Sequence, residues 1–195
     1  MFSAHRAQPN EAPQGFEISD LERTVENRTW VKSHNFTCKF CSGAVTPALG
    51  ERIAWHFRHK NTDPCRYREA RGGRETRQHL ALKKAVYTWL KTTYPDGTLE
   101  TDVDLEPINK RIPDVVLTYM GAKLAFECQY SPLPLEELKA RTLDLQAAGL
   151  EVTWIFSHHR WSDFAQHIAW LDTVGSEAMN AHIEEVVSVV HEQIV

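Results

Sequence analysis

Five side chains that bind soft or borderline metal ions lie within 28 positions of one another. Cys38 and Cys41 are two residues apart, and His56, His59 and Cys65 follow. A C-x-x-C pair on a tight turn directs two thiolates at one tetrahedral zinc ion, which then needs two further ligands. The spacing leaves these open between the histidine pair and the combination of His59 with Cys65. We favour the second, because a regular strand would turn His56 and His59 to opposite faces.

We predict that this zinc site is structural, since a closed set of four protein ligands leaves no position for a substrate. The alternatives are two small buried cysteines beside surface histidines, and a redox dithiol. The clustering of metal-binding residues disfavours the first alternative. The absence of a strand-to-helix setting around the C-x-x-C pair disfavours the second.

A pair of carboxylates farther along the chain has the spacing of a metal-binding site. A hairpin centred just before Gly121 pairs residues whose numbers sum to 241, so Asp114 lies opposite Glu127. Opposed side chains have Cβ atoms about 4.5–5.5 Å apart, and Gln129 falls on the same face as Glu127, with Cys128 in the core on the other. Two such carboxylates suit Mg²⁺ or Mn²⁺, which activate water for attack on a phosphodiester. The alternative is a solvent-facing acidic pair on an ordinary sheet.

Three polar residues share one face of the helix predicted before these strands. Glu75, His79 and Lys83 recur every four residues, and positions four apart are neighbours on a helix. We expect them to face a phosphate together, with Glu75 at the metal or its water, His79 as a proton carrier and Lys83 at the scissile group. The alternative is an exposed polar stripe opposite the apolar face.

The elements that must position these residues follow from hydrophobic periodicity. Leu82, Val86 and Leu90 predict a helix over residues 75–94, which Pro95 ends. Alternating apolar and acidic residues then predict a strand with one wet face over residues 99–106. The remaining predicted elements are strands near 112–119 and 122–130, a helix over 135–148 with Gly149 at its C-terminus, a strand at 152–156, and two amphipathic helices after Trp161 with Ser162 and Ser176 as N-caps.

Composition and charge restrict the class of function. The 195 residues allow one sizeable core with a small appended module. Because the sequence shows neither a long apolar run nor a secretory signal pattern, we expect a cytoplasmic protein with no membrane partner. The net charge of −4 argues against a uniformly basic nucleic-acid binder, yet eleven Lys or Arg residues lie between Arg52 and Lys91 against three acids. This basic segment is suited to follow a phosphate backbone, and a solvated charged face is the alternative.

The order of these motifs resembles the competence protein CoiA-like family. The resemblance spans about residues 36–156 and implies a zinc-ribbon-like module joined to a nuclease core of the restriction-endonuclease-like, PD-(D/E)xK type. The implied fold is α/β, with a mixed central sheet flanked by helices. The matching residues are Cys38-x-x-Cys41, His56-Phe57-Arg58-His59, Glu75-x-x-x-His79-x-x-Leu82-Lys83, Pro113-Asp114-Val115, and Glu127-x-Gln129 followed by Ser131.

The resemblance also implies roles for individual residues. Asp114 and Glu127 match the two metal-binding acids, and Glu75 matches the acid on the first core helix. Gln129 stands where the motif has lysine. Because an amide cannot supply positive charge, Lys83 is considered a displaced replacement for that lysine.

The sequence therefore predicts a nuclease that hydrolyses phosphodiester bonds, expected in DNA, with structural Zn²⁺ and catalytic Mg²⁺ or Mn²⁺. Its predicted organisation is a flexible or adaptor segment over residues 1–28, a zinc module over 29–72 and a nuclease-like domain over 73–195. The rival predictions are a catalytically silent adaptor that binds nucleic acid, and a structural subunit of a DNA-processing or phage-defence assembly. The C-terminal helices are expected to offer a surface for a homo-oligomer.

Overall fold

The computed structural model describes residues 1–7, 14–59, 64–70, 75–105, 111–157 and 162–181. These residues form two five-stranded sheets with helices packed against them. The strands are β1 (Ser3–Arg6), β2 (Gln14–Glu17), β3 (Phe36–Thr37), β4 (Ala44–Ala48), β5 (His56–His59), β6 (Thr98–Thr101), β7 (Val115–Tyr119), β8 (Ala122–Gln129), β9 (Glu151–Ser157) and β10 (Glu177–Ala181). The helices are α1 (Val25–Lys32), α2 (Arg66–Ala70), α3 (Arg77–Thr93), α4 (Leu135–Ala147) and α5 (Ala165–Leu171). Among these described helices, none has the length and apolar character needed to cross a membrane.

The first sheet joins the N-terminal strands to the segment that carries the cysteine and histidine residues. Its order is β2-β1-β3-β4-β5, and all neighbours are antiparallel. Phe2 and Ile18 are almost completely buried, and they share a core with Val31 of α1 and Phe57 of β5. The described residues of the segment predicted to be flexible or an adaptor, residues 1–28, thus contribute apolar side chains to this core.

Helix α3 lies within the predicted range of residues 75–94. Thr76 caps its N-terminus, since the threonine hydroxyl accepts a hydrogen bond from the backbone nitrogen of His79 at 3.1 Å. The predicted apolar stripe that ends at Leu90 is buried. Lys83 is fully buried as well, so the polar side of this helix is not an exposed stripe.

The second sheet has the order β10-β9-β8-β7-β6. Strands β6, β7 and β8 are antiparallel neighbours, whereas β9 and β10 continue in parallel from β8. Val115 pairs with Phe126, so the predicted register, with residue numbers summing to 241, is confirmed. Met120 and Gly121 form the turn with φ values of 49° and 86°, and two successive positive φ values are typical of the tightest hairpin turns.

Helices cover both faces of the second sheet, because successive side chains of a strand point to opposite faces. Helix α3 packs on the face that includes Phe126 and Cys128, and Cys128 is a core residue as predicted. Helices α4 and α5 pack on the face that includes Val116 and Ala125. Glu127 lies between Phe126 and Cys128 and therefore points to the α4 side. The expected mixed α/β architecture, with a sheet between helices, is observed.

The strand predicted over residues 99–106 is shorter than expected. Strand β6 ends at Thr101, because Asp102 has a φ of 52°, which interrupts an extended strand. Asp102 was placed on the wet face of this strand, yet it is fully buried. The partners of the buried Asp102 carboxylate, among them Lys83 and the backbone nitrogen of Phe2, belong to other elements.

The segment after β9 also differs from the prediction of two helices. Helix α5 has Phe164, and not Ser162, at its N-cap position. Ser176 does not start a second helix, because the next residues form β10, which pairs in parallel with β9. Pairing with the edge of the sheet outweighs the helical periodicity of this segment. Residues 182–195, on which the predicted homo-oligomer surface partly rests, lie outside the described residues.

Candidate functional site

Three cysteines and one histidine bring their metal-binding atoms together at the end of the first sheet. The sulfur atoms of Cys38, Cys41 and Cys65 and a ring nitrogen of His59 all lie within 4.8 Å of one another. The Cys38 and Cys65 sulfurs are 3.8 Å apart, and the Cys41 sulfur is 3.3 Å from Nε2 of His59. Two sulfurs that are each about 2.3 Å from a tetrahedral zinc ion lie about 3.8 Å apart. The geometry fits, and this group could hold a metal such as zinc.

The surroundings of the cysteines also suit a metal site. A Cβ atom at Gly43 would lie 3.3 Å from the Cys41 sulfur, so the glycine leaves room for the thiolate. The backbone nitrogen of Phe40 donates to the Cys38 sulfur at 3.4 Å. Burial raises the pKa of the Cys38 thiol to about 12 and also raises that of Cys65. Since zinc binds the thiolate form, a bound cation would offset this cost.

His56 lies outside this group of four. Its Nδ1 is 2.8 Å from the carbonyl oxygen of Ala54, and burial lowers its pKa. His56 and His59 belong to the same short strand, three positions apart, so they point to opposite faces. Of the ligand sets that the spacing left open, the geometry favours the one with His59 and Cys65.

A second group of metal-binding atoms lies between helix α3 and the start of β7. The ligand atoms of Glu75, His79 and Asp114 are within 4.8 Å of one another. Nε2 of His79 is 3.0 Å from Oδ1 of Asp114 and 3.4 Å from Oε1 of Glu75. The other oxygen of Asp114 accepts a hydrogen bond from the backbone nitrogen of Cys128 at 2.9 Å. Carboxylate oxygens together with an imidazole nitrogen form a ligand set that first-row divalent metals bind.

The charge of His79 is set by these two acids. Burial alone would lower its pKa, but the negative charge of Asp114 and hydrogen bonds to Asp114 and Glu75 outweigh burial and raise the pKa of His79 to about 9. The imidazole is therefore protonated near neutral pH and neutralises part of the negative charge of the group.

A buried ion-pair network lies behind the acids. Nζ of Lys83 forms an ion pair with Asp102 and lies 3.5 Å from Oε1 of Glu75 and 3.8 Å from Oδ1 of Asp114. The hydroxyl oxygen of Tyr67 lies 2.7 Å from Oε2 of Glu75 and 3.0 Å from Oδ1 of Asp102, so its single hydrogen can be donated to either carboxylate. Lys83 and Asp102 are fully buried. Lys83 therefore contacts the acids from within the core, and the expected direct contact with a scissile phosphate is not supported.

Glu127 is held by an arginine of helix α4. Nε of Arg141 donates to Oε2 of Glu127 at 2.7 Å, and Nη2 donates to the carbonyl oxygen of Ile112 at 3.1 Å. Ile112 is two residues before Asp114, so one guanidinium links the two strand ends that carry the predicted acids. Arg141 was not among the predicted site residues, because only the crossover after β8 brings α4 over this edge of the sheet.

One cavity of about 520 Å³ joins these side chains. Gln129 is at its rim, at the end of β8, where its side-chain nitrogen donates to the carbonyl oxygen of Ser131. Lys83 does not line the cavity. Arg111 and Arg141 add positive charge to its wall. The predicted catalytic residues that line the cavity are Glu75, His79, Asp114, Glu127 and Gln129.

Comparison with known proteins separates the chain into two matched regions. Residues 20–68 match the model of the competence protein CoiA N-terminal domain, and residues 75–191 match that of the competence protein CoiA nuclease-like domain. The second match alone covers more than half of the chain. The chain belongs to the competence protein CoiA family. The resemblance predicted from motif order is thereby confirmed, and the CoiA nuclease-like region contains the whole group formed by Glu75, His79 and Asp114.

The curated protein Competence protein CoiA of Bacillus subtilis is 30% identical to this CoiA-family chain over 151 residues. The aligned region covers 77% of this chain and 39% of the Bacillus subtilis protein. The chain thus spans about two-fifths of the length of that relative. No solved structure matches the chain.

Proposed function

We propose that this CoiA-family chain is a divalent-metal-dependent nuclease that hydrolyses phosphodiester bonds, with DNA as the expected substrate. The observation that carries the proposal is the convergence of Glu75, His79, Asp114 and Glu127 on one cavity. These residues come from the start of α3, the entry of β7 and the end of β8. A nuclease-like family match over the same residues supports this assignment.

The proposed ligands of the catalytic Mg²⁺ or Mn²⁺ are Asp114, Glu127 and Glu75. Such an ion, when bound, lowers the pKa of a water molecule and stabilises the charge that develops on the phosphate. The chain's contribution is to hold the carboxylates in place beforehand. The Cys128 backbone nitrogen anchors Asp114, and Arg141 anchors Glu127. Preorganised charges of this kind need little rearrangement during the reaction.

The remaining polar residues have distinct proposed roles. His79 carries a proton at the cavity wall, beside the two acids, where it can protonate a leaving oxygen. Gln129 lines the same cavity and orients the attacking water through its amide. Lys83 acts as a positioning residue, because its buried ammonium contacts the acids from behind.

The proposed core fold is restriction-endonuclease-like. In support, the order α3-β6-β7-β8-α4-β9 builds a mixed sheet between helices, as the PD-(D/E)xK resemblance implies. We further propose that the group of Cys38, Cys41, His59 and Cys65 binds a structural zinc ion. A cytoplasmic location, where thiols stay reduced, suits such a site.

A catalytically silent adaptor that binds nucleic acid is the second candidate function. Two observations favour it: Gln129 replaces the motif lysine, and the carboxylate of Glu127 is already paired with Arg141. An adaptor of this kind would bind nucleic acid with or without a divalent metal and would not cleave it.

The test is a cleavage assay of purified protein on DNA and RNA, single- and double-stranded, with Mn²⁺, with Mg²⁺ and with EDTA. Asp114→Asn and Glu127→Gln are preferable to alanine variants, because both acids are almost fully buried and an amide keeps a hydrogen-bond acceptor. We expect both variants to lose at least about 100-fold in cleavage rate. Asp96→Asn, at an exposed turn, is the matched control and should cleave normally. Undiminished cleavage by Asp114→Asn would refute the site, and binding without cleavage in every condition would favour the adaptor.

A further inference from the structure

The folded structure pairs some of the cations in the basic segment, which runs from Arg52 to Lys91, with other groups of the chain. Several of its cations form ion pairs with carboxylates or hydrogen bonds to backbone oxygens within the described residues. Lys83 is paired with Asp102 in the core. Three others have partners closer to the surface: Lys84 donates to the carbonyl oxygen of Ser19, Lys91 pairs with Asp20, and Arg66 pairs with Asp104.

Besides Arg52, three arginines of the segment keep exposed side chains without a carboxylate partner among the described residues. Arg58 lies on β5, Arg68 on α2 and Arg77 at the start of α3. Arg77 donates only to the carbonyl oxygen of Arg52, at 3.4 Å. Although they come from three different elements, all three line one cavity of about 1040 Å³. We call this cavity the arginine groove.

The arginine groove adjoins the cavity that contains the acids. Glu75 and Thr76 line both cavities, so the two are neighbours at the start of α3. His59, one of the four proposed zinc ligands, also lines the groove. A chain that entered the active-site cavity from this side would therefore pass three arginines that have no carboxylate partner among the described residues.

The rest of the groove lining is largely apolar. Pro47, Leu49, Ile53 and Leu80 line it alongside the arginines. In duplex nucleic acid the bases are stacked inside, and a protein wall meets mainly sugar and phosphate. An unpaired strand presents both phosphates and base faces, which suits a groove that is basic in places and apolar in others.

We propose that the arginine groove binds a single nucleic-acid strand beside the cleavage site, with phosphates at Arg58, Arg68 and Arg77 and bases against the apolar side chains. This inference rests on the proposed function for the nature of the substrate. It adds that the first sheet is one wall of the substrate site, and that the unpaired part of a substrate is what the protein holds.

The test measures binding without cleavage. Fluorescence anisotropy is recorded with Ca²⁺ for a labelled DNA oligonucleotide, its RNA equivalent and the DNA duplex, over a series of salt concentrations. The variant is Arg58→Gln/Arg68→Gln/Arg77→Gln. The matched control, Lys32→Gln/Lys123→Gln/Lys139→Gln, removes the same net charge from other parts of the chain. Circular dichroism and thermal unfolding check that both variants fold.

We expect the groove variant to bind single strands at least about tenfold more weakly than the control variant does. Each phosphate contact on a single strand contributes about 0.7 to the slope of log affinity against log salt, so three lost contacts should reduce that slope by about 2. DNA and RNA oligonucleotides in parallel identify the sugar that the groove accepts. Duplex binding should be weaker than single-strand binding and less sensitive to the three substitutions.

The outcomes distinguish this inference from the proposed function. If the wild-type protein cleaves nucleic acid and the groove variant binds single strands like the control, the inference is overturned and the nuclease stands. If duplex binding is tighter and depends equally on the arginines, the single-strand assignment is overturned. If the wild-type protein binds single strands through the arginines but never cleaves, the inference stands and the nuclease fails. If no nucleic acid binds, both fail.

Discussion

Replacing Lys83 by methionine tests the buried network directly. The ammonium group has no solvent exposure and lies between three carboxylates, with an ion pair to Asp102 and distances of 3.5 Å to Glu75 and 3.8 Å to Asp114. It also lies 5.2 Å from the ring centre of Phe2. Methionine keeps most of the side-chain volume, so the change removes the charge and leaves only a small cavity.

The expected cost follows from burial. Removing one partner of a buried ion pair leaves an uncompensated charge and costs about 3–5 kcal/mol of the free energy of unfolding. For a chain of this size, about 2–4 °C per kcal/mol then gives a fall in melting temperature of about 6–20 °C. Lys91→Met is the control, because Lys91 is on the same helix but its pair with Asp20 is about half exposed on both sides. Exposed pairs contribute up to about 1 kcal/mol.

Urea or guanidinium unfolding of the two variants and the wild-type protein provides the comparison. A loss of less than about 1 kcal/mol for Lys83→Met would contradict the buried network. The double variant Lys83→Met/Asp102→Asn should recover part of the loss, since it also removes the stranded charge. If the double variant is no more stable than Lys83→Met, the broken ion pair with Asp102 is not the main cause of the stability loss in Lys83→Met.

Three further predictions concern other parts of the chain. Burial raises the pKa of Glu17 to about 7, so this carboxyl favours the folded state below its ordinary pKa and loses that contribution as the pH rises through 7. The free energy of unfolding of Glu17→Gln minus that of the wild-type protein should therefore increase by roughly 1–3 kcal/mol from pH 5 to pH 8. An equal difference at both pH values in urea unfolding would contradict this. His59→Ala should lose zinc to a chelator far more readily than His56→Ala, as followed by a colorimetric zinc assay, and equal losses would refute the favoured ligand set. Arg141→Gln should weaken Mn²⁺ binding by about 10–100-fold in calorimetry, because Glu127 loses its orienting partner; unchanged affinity would argue against that role.

Local patterns predicted the parts of the site that depend on local geometry. The hairpin register followed from a two-residue turn at Gly121, because the alternation of side chains leaves one register that buries the apolar ones. The start of α3 followed from periodicity, and the grouping of Cys38 with Cys41 followed from a spacing that a single turn closes. In each case the interacting residues are close in sequence.

The remainder depends on contacts between distant parts of the chain. Asp102 looked like part of a wet face, but its Oδ2 accepts a hydrogen bond from the backbone nitrogen of Phe2 at 2.7 Å, across 100 positions of sequence. Arg141 reaches Glu127 only because α4 crosses the sheet edge. Residues 177–181 have a helical pattern but pair with β9, whose edge they complete. Periodicity contains no information about such partners.

The pairing register of the β7–β8 hairpin predicts only part of the relation between Asp114 and Glu127. The register was correct, yet Asp114 precedes β7 at a bend and faces His79, whereas Glu127 points to the α4 side. The tightest group of ligand atoms therefore pairs Asp114 with Glu75 and His79. The sequence analysis expected Glu75 at the metal or its water, and in the structure its ligand atom lies within 4.8 Å of those of His79 and Asp114.

The central claim is that Asp114 serves a metal-dependent cleavage site. Its most direct test is the initial rate of oligonucleotide cleavage in Mn²⁺ for the wild-type protein and for Asp114→Asn, with folding checked by circular dichroism. We predict cleavage by the wild-type protein that EDTA abolishes, and a loss of at least about 100-fold for the folded variant. Equal rates for the two proteins, or equal rates with Mn²⁺ and with EDTA, would contradict the claim.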